Sequence, residues 1–433
     1  LSPYQTVRGR IIDIDSRLPL CGVTVLLGSE GLPRGAITDS QGNFKFENVK
    51  VGRHGLKISS IGYDSKAIGN LLVASGKEQV LTIEQVESVI KIPEVTISSS
   101  PGWARPINDL TTISGRSFSA YEIENYPGSL SDVSRVAQSF PGVLSSNDGQ
   151  NHLVIRGNSP KGLQWRLEGI EIPNLNHFSD IGASGGGVGI ISNNMIGASD
   201  FLTGAFSAEY GNAISGVFDL RLRTGNNEKH EQSFQIGLIG TEMMAEGPLS
   251  RSGSSSYIAH YRYSTFKIIQ KLGANLESIP DFQDLSFKIY LPSKRAGIFS
   301  IFGIGGLSHE EGVGGYIMNS NMGTFGISNN YTFNEDTYLR SVVALSAWSY
   351  NWFDESNIGT SINPIDYKWN SDVKDYSAKL SLSLNKILNS SHKFITGLVL
   401  DHSLNDSFMG WFSDTLYNIY SDPAHPDYLI QNY

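Results

Sequence analysis

Residues 375–385 read DYSAKLSLSLN, and this stretch decides the fold class of the C-terminal half of the chain. Every second position from Tyr376 to Leu384 is apolar or aromatic, whereas the positions between them are polar. Successive side chains of a β-strand point to opposite faces, so one face of this strand meets an apolar medium and the other meets water. Both a membrane-spanning strand and a strand of a soluble sandwich alternate in this way.

The connections between the strands favour the membrane-spanning alternative. The same alternation recurs in residues 257–264 and 284–291, and we count about nine strands after residue 226. Short polar turns alternate with longer irregular loops: the turns are at 250–254, 292–297, 334–337 and 389–391, and the loops at 267–281, 309–321 and 354–370. Outer-membrane barrels have short periplasmic turns and long extracellular loops. We therefore expect residues 226–433 to form the first strands of a transmembrane antiparallel β-barrel, which needs further strands to close.

The composition favours a mostly-β protein and argues against several classes of function. Charged residues make up only 17% of the chain, whereas 46 glycines, 19 tyrosines and 20 phenylalanines favour strands and turns over helices. The net charge of −9 argues against a nucleic-acid partner, because phosphate binding requires clustered Lys and Arg. Cys21 is the single cysteine, so an internal disulfide is excluded.

The sequence carries no catalytic motif that we can identify. None of its 9 histidines is followed by Glu three residues later, as a zinc-hydrolase ligand pair would require. The glycines of residues 185–189 lack the strand–loop–helix context of a phosphate-binding loop. We therefore expect a protein that is not an enzyme and that has neither a cofactor nor a metal site.

Three segments precede the barrel strands. Residues 1–92 contain short, closely spaced strands and predict an immunoglobulin-like β-sandwich. Residues 93–109 are rich in Pro and Ser and predict a linker with one short β-prone stretch. Residues 110–225 predict a mixed α+β domain, with a helix that has Ser129 as N-cap and Asp132 as a capping-box carboxylate and that ends at Pro141.

Motifs in residues 110–225 resemble the plug domain of TonB-dependent outer-membrane receptors. They are Leu153–Gly157, Trp165–Ile170, Phe201–Gly204 and Ser207–Gly216 with the following residues 217–223. Residues 1–92 are similar to the carboxypeptidase regulatory-like domain that often precedes such plugs, through Val7–Arg10, Gly22–Val25, Thr38-Asp39 with Gly42–Phe44, and Ile61–Tyr63. The resemblance implies a 22-stranded barrel in the outer membrane of a Gram-negative bacterium, with the plug in its lumen and the sandwich in the periplasm.

The resemblance also implies a function, which is active import of a substrate driven by the inner-membrane protein TonB. TonB captures a short segment of such receptors, the TonB box, by adding it as a strand to its own sheet. The candidate here is Glu94, Val95, Thr96, Ile97 and Ser98 in the linker. The same stretch is equally compatible with a final strand of the sandwich.

Family members also place plug arginines against acidic residues of the inner barrel wall. The candidates for plug–barrel contacts are Arg156, Gly157, Arg166 and Glu168 on the plug and Glu242 and Glu246 on an early barrel strand. An Arg at this place can pair bidentately with a carboxylate, although Arg156 is also compatible with an exposed strand end.

The sequence says less about which residues face the substrate. The candidates for ligand-facing residues at the plug apex are Asn174, Asn176, His177 and Phe178. Aromatic and polar groups of this kind are compatible with sugars, peptides, siderophores or cobalamin.

Two further hypotheses keep the same fold. One is a receptor-like scaffold or signalling subunit of an outer-membrane complex that moves no nutrient. The other is a surface adhesin, which rests only on the long extracellular loops. The expected partners are TonB, outer-membrane lipid and lipopolysaccharide, and possible further partners are a surface lipoprotein or other outer-membrane subunits.

Overall fold

The computed structural model describes most residues between Tyr4 and Phe412. Outside the description lie residues 1–3, 15, 29–32, 76–77, 88–110, 112–113, 119–122, 124–125, 127–131, 146–149, 183–184, 238, 251–254, 267–277, 294, 313–314, 335, 358–365, 390–391 and 413–433. Among the described residues, no helix is long and apolar enough to cross a membrane.

The N-terminal domain is the predicted β-sandwich. Its strands are β1 (Tyr4–Asp13), β2 (Thr24–Gly28), β3 (Arg34–Ile37), β4 (Asn43–Lys50), β5 (Gly52–Ser59), β6 (Lys66–Val73) and β7 (Gln79–Gln85). One sheet has the order β4-β1-β7 and the other β3-β2-β5-β6. Alternate side chains such as Val7, Val25 and Ile58 fill the space between the sheets and are fully buried.

The turn before β4 shows how local chemistry fixes this sandwich. Asp39 Oδ1 accepts hydrogen bonds from the backbone N–H groups of Gln41 and Asn43, at 2.9 and 2.8 Å. Gly42 has a φ of +74°, and a side chain there would collide with the carbonyl oxygen of Ile11. Only glycine adopts this positive φ and avoids this collision without strain.

The second domain is a mixed α+β plug. Its elements are β8 (Gly115–Phe118), α1 (Val133–Ala137), β9 (Val143–Ser145), β10 (Leu153–Ile155), β11 (Leu163–Leu167), β12 (Ile170–Ile172), β13 (Ser199–Leu202) and β14 (Gly216–Leu220). Five of the strands form one sheet in the order β12-β11-β14-β13-β8. Phe218 stacks between Trp165 and Phe201, with ring centroids 4.5 and 4.3 Å away, and these rings form the centre of the plug core.

The helix begins later than the sequence predicts. Asp132 is itself the N-cap of α1, with extended backbone angles and a 2.8 Å hydrogen bond from the N–H of Ser134 to its Oδ1. Its other oxygen accepts from Asn151 Nδ2 and from the N–H of Gly189, at 2.8 and 2.7 Å. The N-cap of α1 is therefore Asp132 and not Ser129, which lies outside the described residues. Asp132 is held outside the helix by two loops that lie far away in sequence.

The third region is a nine-stranded antiparallel sheet that curves around the plug. Its strands, paired consecutively, are β15 (Glu231–Ile236), β16 (Gly240–Pro248), β17 (Ser256–Ser264), β18 (Ser278–Ser293), β19 (Gly297–Gly312), β20 (Ile317–Asn334), β21 (Thr337–Asn357), β22 (Asp366–Asn389) and β23 (His392–Phe412). In the described part of the chain, β15 and β23 are the edges of this sheet. The strands therefore form a partial, unclosed barrel wall, as predicted.

The two faces of this wall meet different environments. On β21, Val343 and Leu345 point outwards and are more than half exposed, whereas Val342 and Ala344 point towards the plug and are buried. The inward residues belong to the same apolar cluster as the plug core. Alternation along each strand therefore separates a face suited to lipid from a face that packs on the plug.

The predicted loops are shorter in the structure than in the sequence analysis. Strands β19 and β20 continue through Gly312 and from Ile317, with Ser308 opposite Ser320 and Glu310 opposite Met318. Strands β18, β21 and β22 likewise run into the segments predicted as loops. The alternation in sequence is lost at the end of β19, where three consecutive residues, His309 to Glu311, are polar, although the backbone ladder with β20 continues.

We expect Leu345→Arg to destabilise the full-length protein by about 2–4 kcal/mol, because this outward residue lies midway along β21 and Arg at mid-membrane is costly. Leu339→Arg is the matched control, since it lies on the same face near the short-turn end, where the cost is about 0–1 kcal/mol. Reversible unfolding in urea from lipid vesicles measures both. Equal costs at the two positions would contradict the assignment of a lipid-facing surface.

Candidate functional site

The candidate site is the contact surface between the plug and the inner face of the wall. Its centre is Glu168, which lies in the two-residue turn between β11 and β12. Both Glu168 and Gly169 have positive φ, at 52° and 86°, as a tight hairpin of this type requires. The turn directs the Glu168 carboxylate away from the plug and towards β18.

Glu168 forms a buried ion pair with the wall. Its Oε1 accepts from Lys288 Nζ at 2.7 Å and from the backbone N–H of Leu222 at 2.8 Å. Lys288 Nζ also donates to the carbonyl oxygen of Leu222 at 2.8 Å. Both charged side chains are more than nine-tenths buried, so each neutralises a charge that would otherwise stand alone in a region of low polarity.

The surroundings of Glu168 favour its charged form. Burial by itself raises the pKa of this carboxyl, but the Lys288 ammonium, and beyond it the Arg340 and Arg17 guanidiniums, more than offset that effect. Together they lower the pKa of Glu168 from 4.5 to about 2. The Glu168 carboxyl is therefore charged at neutral pH.

A second ion pair joins the end of the plug to β16. Arg223 follows the last plug strand, and its two terminal nitrogens donate to the two carboxylate oxygens of Glu246 at 2.8 and 2.9 Å. Glu246 Oε2 also accepts from the backbone N–H of Asn226 at 2.9 Å. This bidentate geometry is the strongest arrangement available to an arginine and a carboxylate.

A third polar contact lies farther along the wall, on the side of the longer loops. His177 Nε2 is 3.0 Å from Asp284 Oδ2, and His177 Nδ1 is 2.9 Å from the Ser308 hydroxyl. Arg262 Nε donates to the same Asp284 oxygen at 2.7 Å and its guanidinium also donates to the carbonyl of Gly189. Burial lowers the pKa of His177 although Asp284 opposes the shift, so His177 acts as a neutral hydrogen-bonding group at neutral pH.

The other apex candidates lie beneath this contact. Asn174 and Asn176 are buried within the plug, where Asn174 Oδ1 accepts from the N–H of Asn176 and Asn176 Oδ1 accepts from Asn151 Nδ2. The ring of Phe178 lies edge-on to Phe282 of the wall, with centroids 6.2 Å apart. The ligand-facing role of Asn174, Asn176, His177 and Phe178 stays a prediction.

The remaining candidates on the plug are held by other plug residues. Arg156 Nη2 donates to Ser114 Oγ at 2.6 Å, and Arg156 and Gly157 both have positive φ in the turn after β10. Arg166 donates to the carbonyl oxygens of Glu209 and Gly169 and lies over the ring of Tyr210. Their contact with the barrel stays a prediction.

The two wall candidates have different partners. Glu246 pairs with Arg223 of the plug, as described above. Glu242 Oε2 lies 3.2 Å from His260 Nε2, a residue of the neighbouring wall strand. Glu246 was considered as an acidic partner of the plug arginine Arg156, whereas in the structure it pairs with Arg223; no partner was predicted for Glu168.

The partners themselves, Lys288, Arg223 and Asp284, were missed as site residues. A signal for two of them was present, because Lys288 and Asp284 occupy the polar, inward register of β18. A charged side chain at such a position has to find an opposite charge inside the lumen. Arg223 lies beyond the last plug strand and had no periodic signal of this kind.

Comparison with known proteins agrees with this architecture. The family model for the carboxypeptidase regulatory-like domain matches residues 6–85, and the model for the TonB-dependent receptor plug domain matches residues 109–217. No curated protein matches the chain.

Several solved structures share the fold at low sequence identity. BauA, the ferric preacinetobactin receptor of Acinetobacter baumannii, is 13% identical with a TM-score of 0.51, and the match covers 72% of this chain and 49% of that one. The pyoverdine receptor FpvA of Pseudomonas aeruginosa is 11% identical with a TM-score of 0.50, and the match covers 69% of this chain and 47% of that one. The ferric-catecholate import receptor Fiu of E. coli is 11% identical with a TM-score of 0.51, and the match covers 72% of this chain and 52% of that one. The matched region is thus about half the length of each of these receptors.

We expect Lys288→Met to destabilise the plug within the full-length barrel by about 3–5 kcal/mol, because it leaves the Glu168 carboxylate buried without its ammonium partner. The double variant Glu168→Gln/Lys288→Met removes both charges and should recover most of this loss. The free energy of plug unfolding, followed by hydrogen exchange of plug amides, measures both variants. Equal destabilisation in the single and double variants would show that the two charges are not coupled.

The pH dependence of plug stability follows from the lowered pKa of Glu168. An unfolded plug binds a proton at this carboxyl near pH 4.5, whereas the folded plug resists protonation until about pH 2. The contribution of the pair is therefore complete above pH 4.5 and is lost as the pH falls towards 2. Hydrogen exchange is measured from about pH 6 to about pH 2.5 in the wild type and in Glu168→Gln/Lys288→Met. Only the wild type should show this loss of plug stability. Parallel curves for the two proteins would contradict it.

Proposed function

We propose that the whole protein imports a substrate actively across the outer membrane. The chain carries a carboxypeptidase regulatory-like domain and a TonB-dependent receptor plug domain, and it has the fold of TonB-dependent receptors. TonB-dependent receptors are transporters rather than enzymes. The chain spans about half the length of the solved receptors, and the proposal concerns the protein that contains it.

The observation that carries this proposal is the ionic seating of the plug. Glu168 with Lys288 and Arg223 with Glu246 join the plug to the inner face of the wall. The plug also packs on inward apolar residues of the wall, and the buried ion pairs add specific contacts whose charges water can solvate once the plug moves. A plug held in this way suits a protein that has to open and close its lumen.

We propose that TonB contacts the segment Glu94, Val95, Thr96, Ile97 and Ser98. This segment lies outside the described residues, between the sandwich and the plug. Its supporting features are its β-prone sequence and its place in a linker with three prolines between residues 93 and 106. In this proposal the domain limits are 1–92 for the sandwich, 93–109 for the linker, 110–225 for the plug and 226–433 for the barrel strands.

We propose the same direction of transport for this chain as for the receptors it resembles. Ferric preacinetobactin, pyoverdine and ferric catecholates are named for BauA, FpvA and Fiu, and they are ligands of those proteins. For this chain we propose that Asn174, Asn176, His177 and Phe178 respond to substrate. Support comes from their place in the plug segment that contacts β18 and β19 towards the longer loops.

The experiment that tests import through this segment is a binding measurement with the periplasmic domain of TonB. Val95→Pro should weaken binding to the full-length protein at least about tenfold, because proline removes a ladder N–H and is tolerated poorly in an added strand. Val95→Ala is the matched control and should bind within about twofold of the wild type.

Two results would overturn parts of this proposal. Unchanged binding in Val95→Pro would place the TonB contact elsewhere in the chain. Absence of TonB binding by the wild-type protein would reject import by this mechanism and favour the receptor-like scaffold, which purification in mild detergent would then show as a constant complex with other outer-membrane subunits.

A further inference from the structure

A chamber of about 900 Å³ lies between the sandwich, the plug and the short-turn end of the wall. All three parts of the chain line it, with Arg17 and Glu84 from the sandwich, Glu168 and Arg223 from the plug and its extension, and Ser300 and Arg340 from the wall. The sandwich therefore stands across the end of the lumen that the plug leaves open. What holds it there decides whether that end is closed.

The sandwich is fastened to the segment that leads from the plug to β15, residues 221–230, which we call the tether. Arg8 on β1 pairs with Glu78, 3.0 Å away, and also donates to the side-chain oxygen of Asn226 in the tether. Lys229 of the tether reaches Glu78 Oε2 at 2.9 Å. Arg8, Glu78 and Asn226 are all more than nine-tenths buried, so this cluster, the latch, is formed by the two parts together.

A second row of polar contacts extends the fastening. Glu84 on β7 pairs with Arg17 of the sandwich and lies 3.9 Å from Arg221 of the tether. The hydroxyl oxygens of Thr82 and Thr224 are 3.2 Å apart. These contacts and the latch are charged or hydroxyl pairs, and water and salt ions solvate the separated groups once the sandwich has left.

The wall holds the other side of the tether. Gly225 lies so close to β17 that a side chain there would collide with the carbonyl oxygen of Tyr257. His230 Nδ1 lies 3.2 Å from the Tyr257 hydroxyl. The tether is thus clamped between the wall and the sandwich, and the sandwich can leave without moving the tether from the wall.

We infer that the sandwich is a gate: docked on the tether through Arg8, Glu78, Asn226 and Lys229, it closes the short-turn end of the lumen, and it opens by undocking as a body. The described geometry shows the sandwich covering the short-turn end of the nine wall strands. That a substrate passes this gate rests on the proposed function. The gate differs from the plug, because it lies across the chamber beneath the plug and is joined to the tether by polar contacts.

The test uses the full-length protein in outer-membrane vesicles opened to give access to the short-turn side. In a Cys21→Ser background, Ser300→Cys places a thiol on the wall inside the chamber, where Ser300 is buried. A polyethylene glycol maleimide of about 5 kDa is too large for the closed chamber, so the labelling rate at position 300 reports undocking of the sandwich.

We expect slow labelling with the intact latch and at least about tenfold faster labelling in Glu78→Gln and Arg8→Gln. Lys57→Gln, an exposed change on β5 in the other sheet of the sandwich, is the matched control and should label at the wild-type rate. A disulfide formed by Thr82→Cys with Thr224→Cys should abolish the acceleration caused by Glu78→Gln.

A second measurement uses the protein with the intact latch, so its result does not depend on whether the latch variants fold. Raising the salt concentration from about 0.05 M to about 1 M shortens the screening length to about 3 Å and should accelerate labelling in the protein with the intact latch. Fast labelling at low salt that neither the latch variants nor the disulfide changes would overturn the gate. Labelling requires no transport, so a gate that behaves as expected in a protein that fails to bind TonB would separate this inference from the proposed function.

Discussion

The ion pair between Glu168 and Lys288 constrains how the plug and the wall can fit together. A single charge left alone between them costs several kcal/mol, so the two side chains have to meet. The position of Lys288 is set by the alternation of β18, and that of Glu168 by a turn in which both residues have positive φ. The contact between these two side chains therefore fixes where the plug hairpin meets β18.

The other contacts add to this constraint in different ways. The pair of Arg223 and Glu246 fixes the point at which the chain leaves the plug and enters the wall. The cluster of His177, Asp284 and Arg262 fixes the plug on the side of the longer loops. Since the plug core and the inward apolar residues of the wall form one cluster, packing and charge pairing act on the same surface. The plug is held firmly, yet its specific fastenings are polar.

Sequence reasoning succeeded where a short-range rule governs the residues. Alternation in residues 375–385 depends on neighbours two positions apart, and it predicted a strand of the wall correctly. It failed where residues distant in sequence determine the local structure. Asp132 became an N-cap because Asn151 and Gly189 hold it, and the strands continued past the predicted loop starts because partner strands supply the hydrogen bonds. The partner of Glu168 lies 120 positions away, and no local pattern identifies it.

The order of strands in the plug has a mechanical consequence. Among the described strands of the plug, β8 comes first in the chain and pairs with β13 alone, at one edge of the sheet, through four residues. A force that arrives from the N-terminal side therefore meets a short edge ladder, whereas β11 and β14 lie in the interior with the stacked rings of Trp165 and Phe218. Work done on the chain from that side is therefore delivered to this edge ladder first. The plug can yield part of its length while its aromatic centre keeps its shape and serves as the template for refolding.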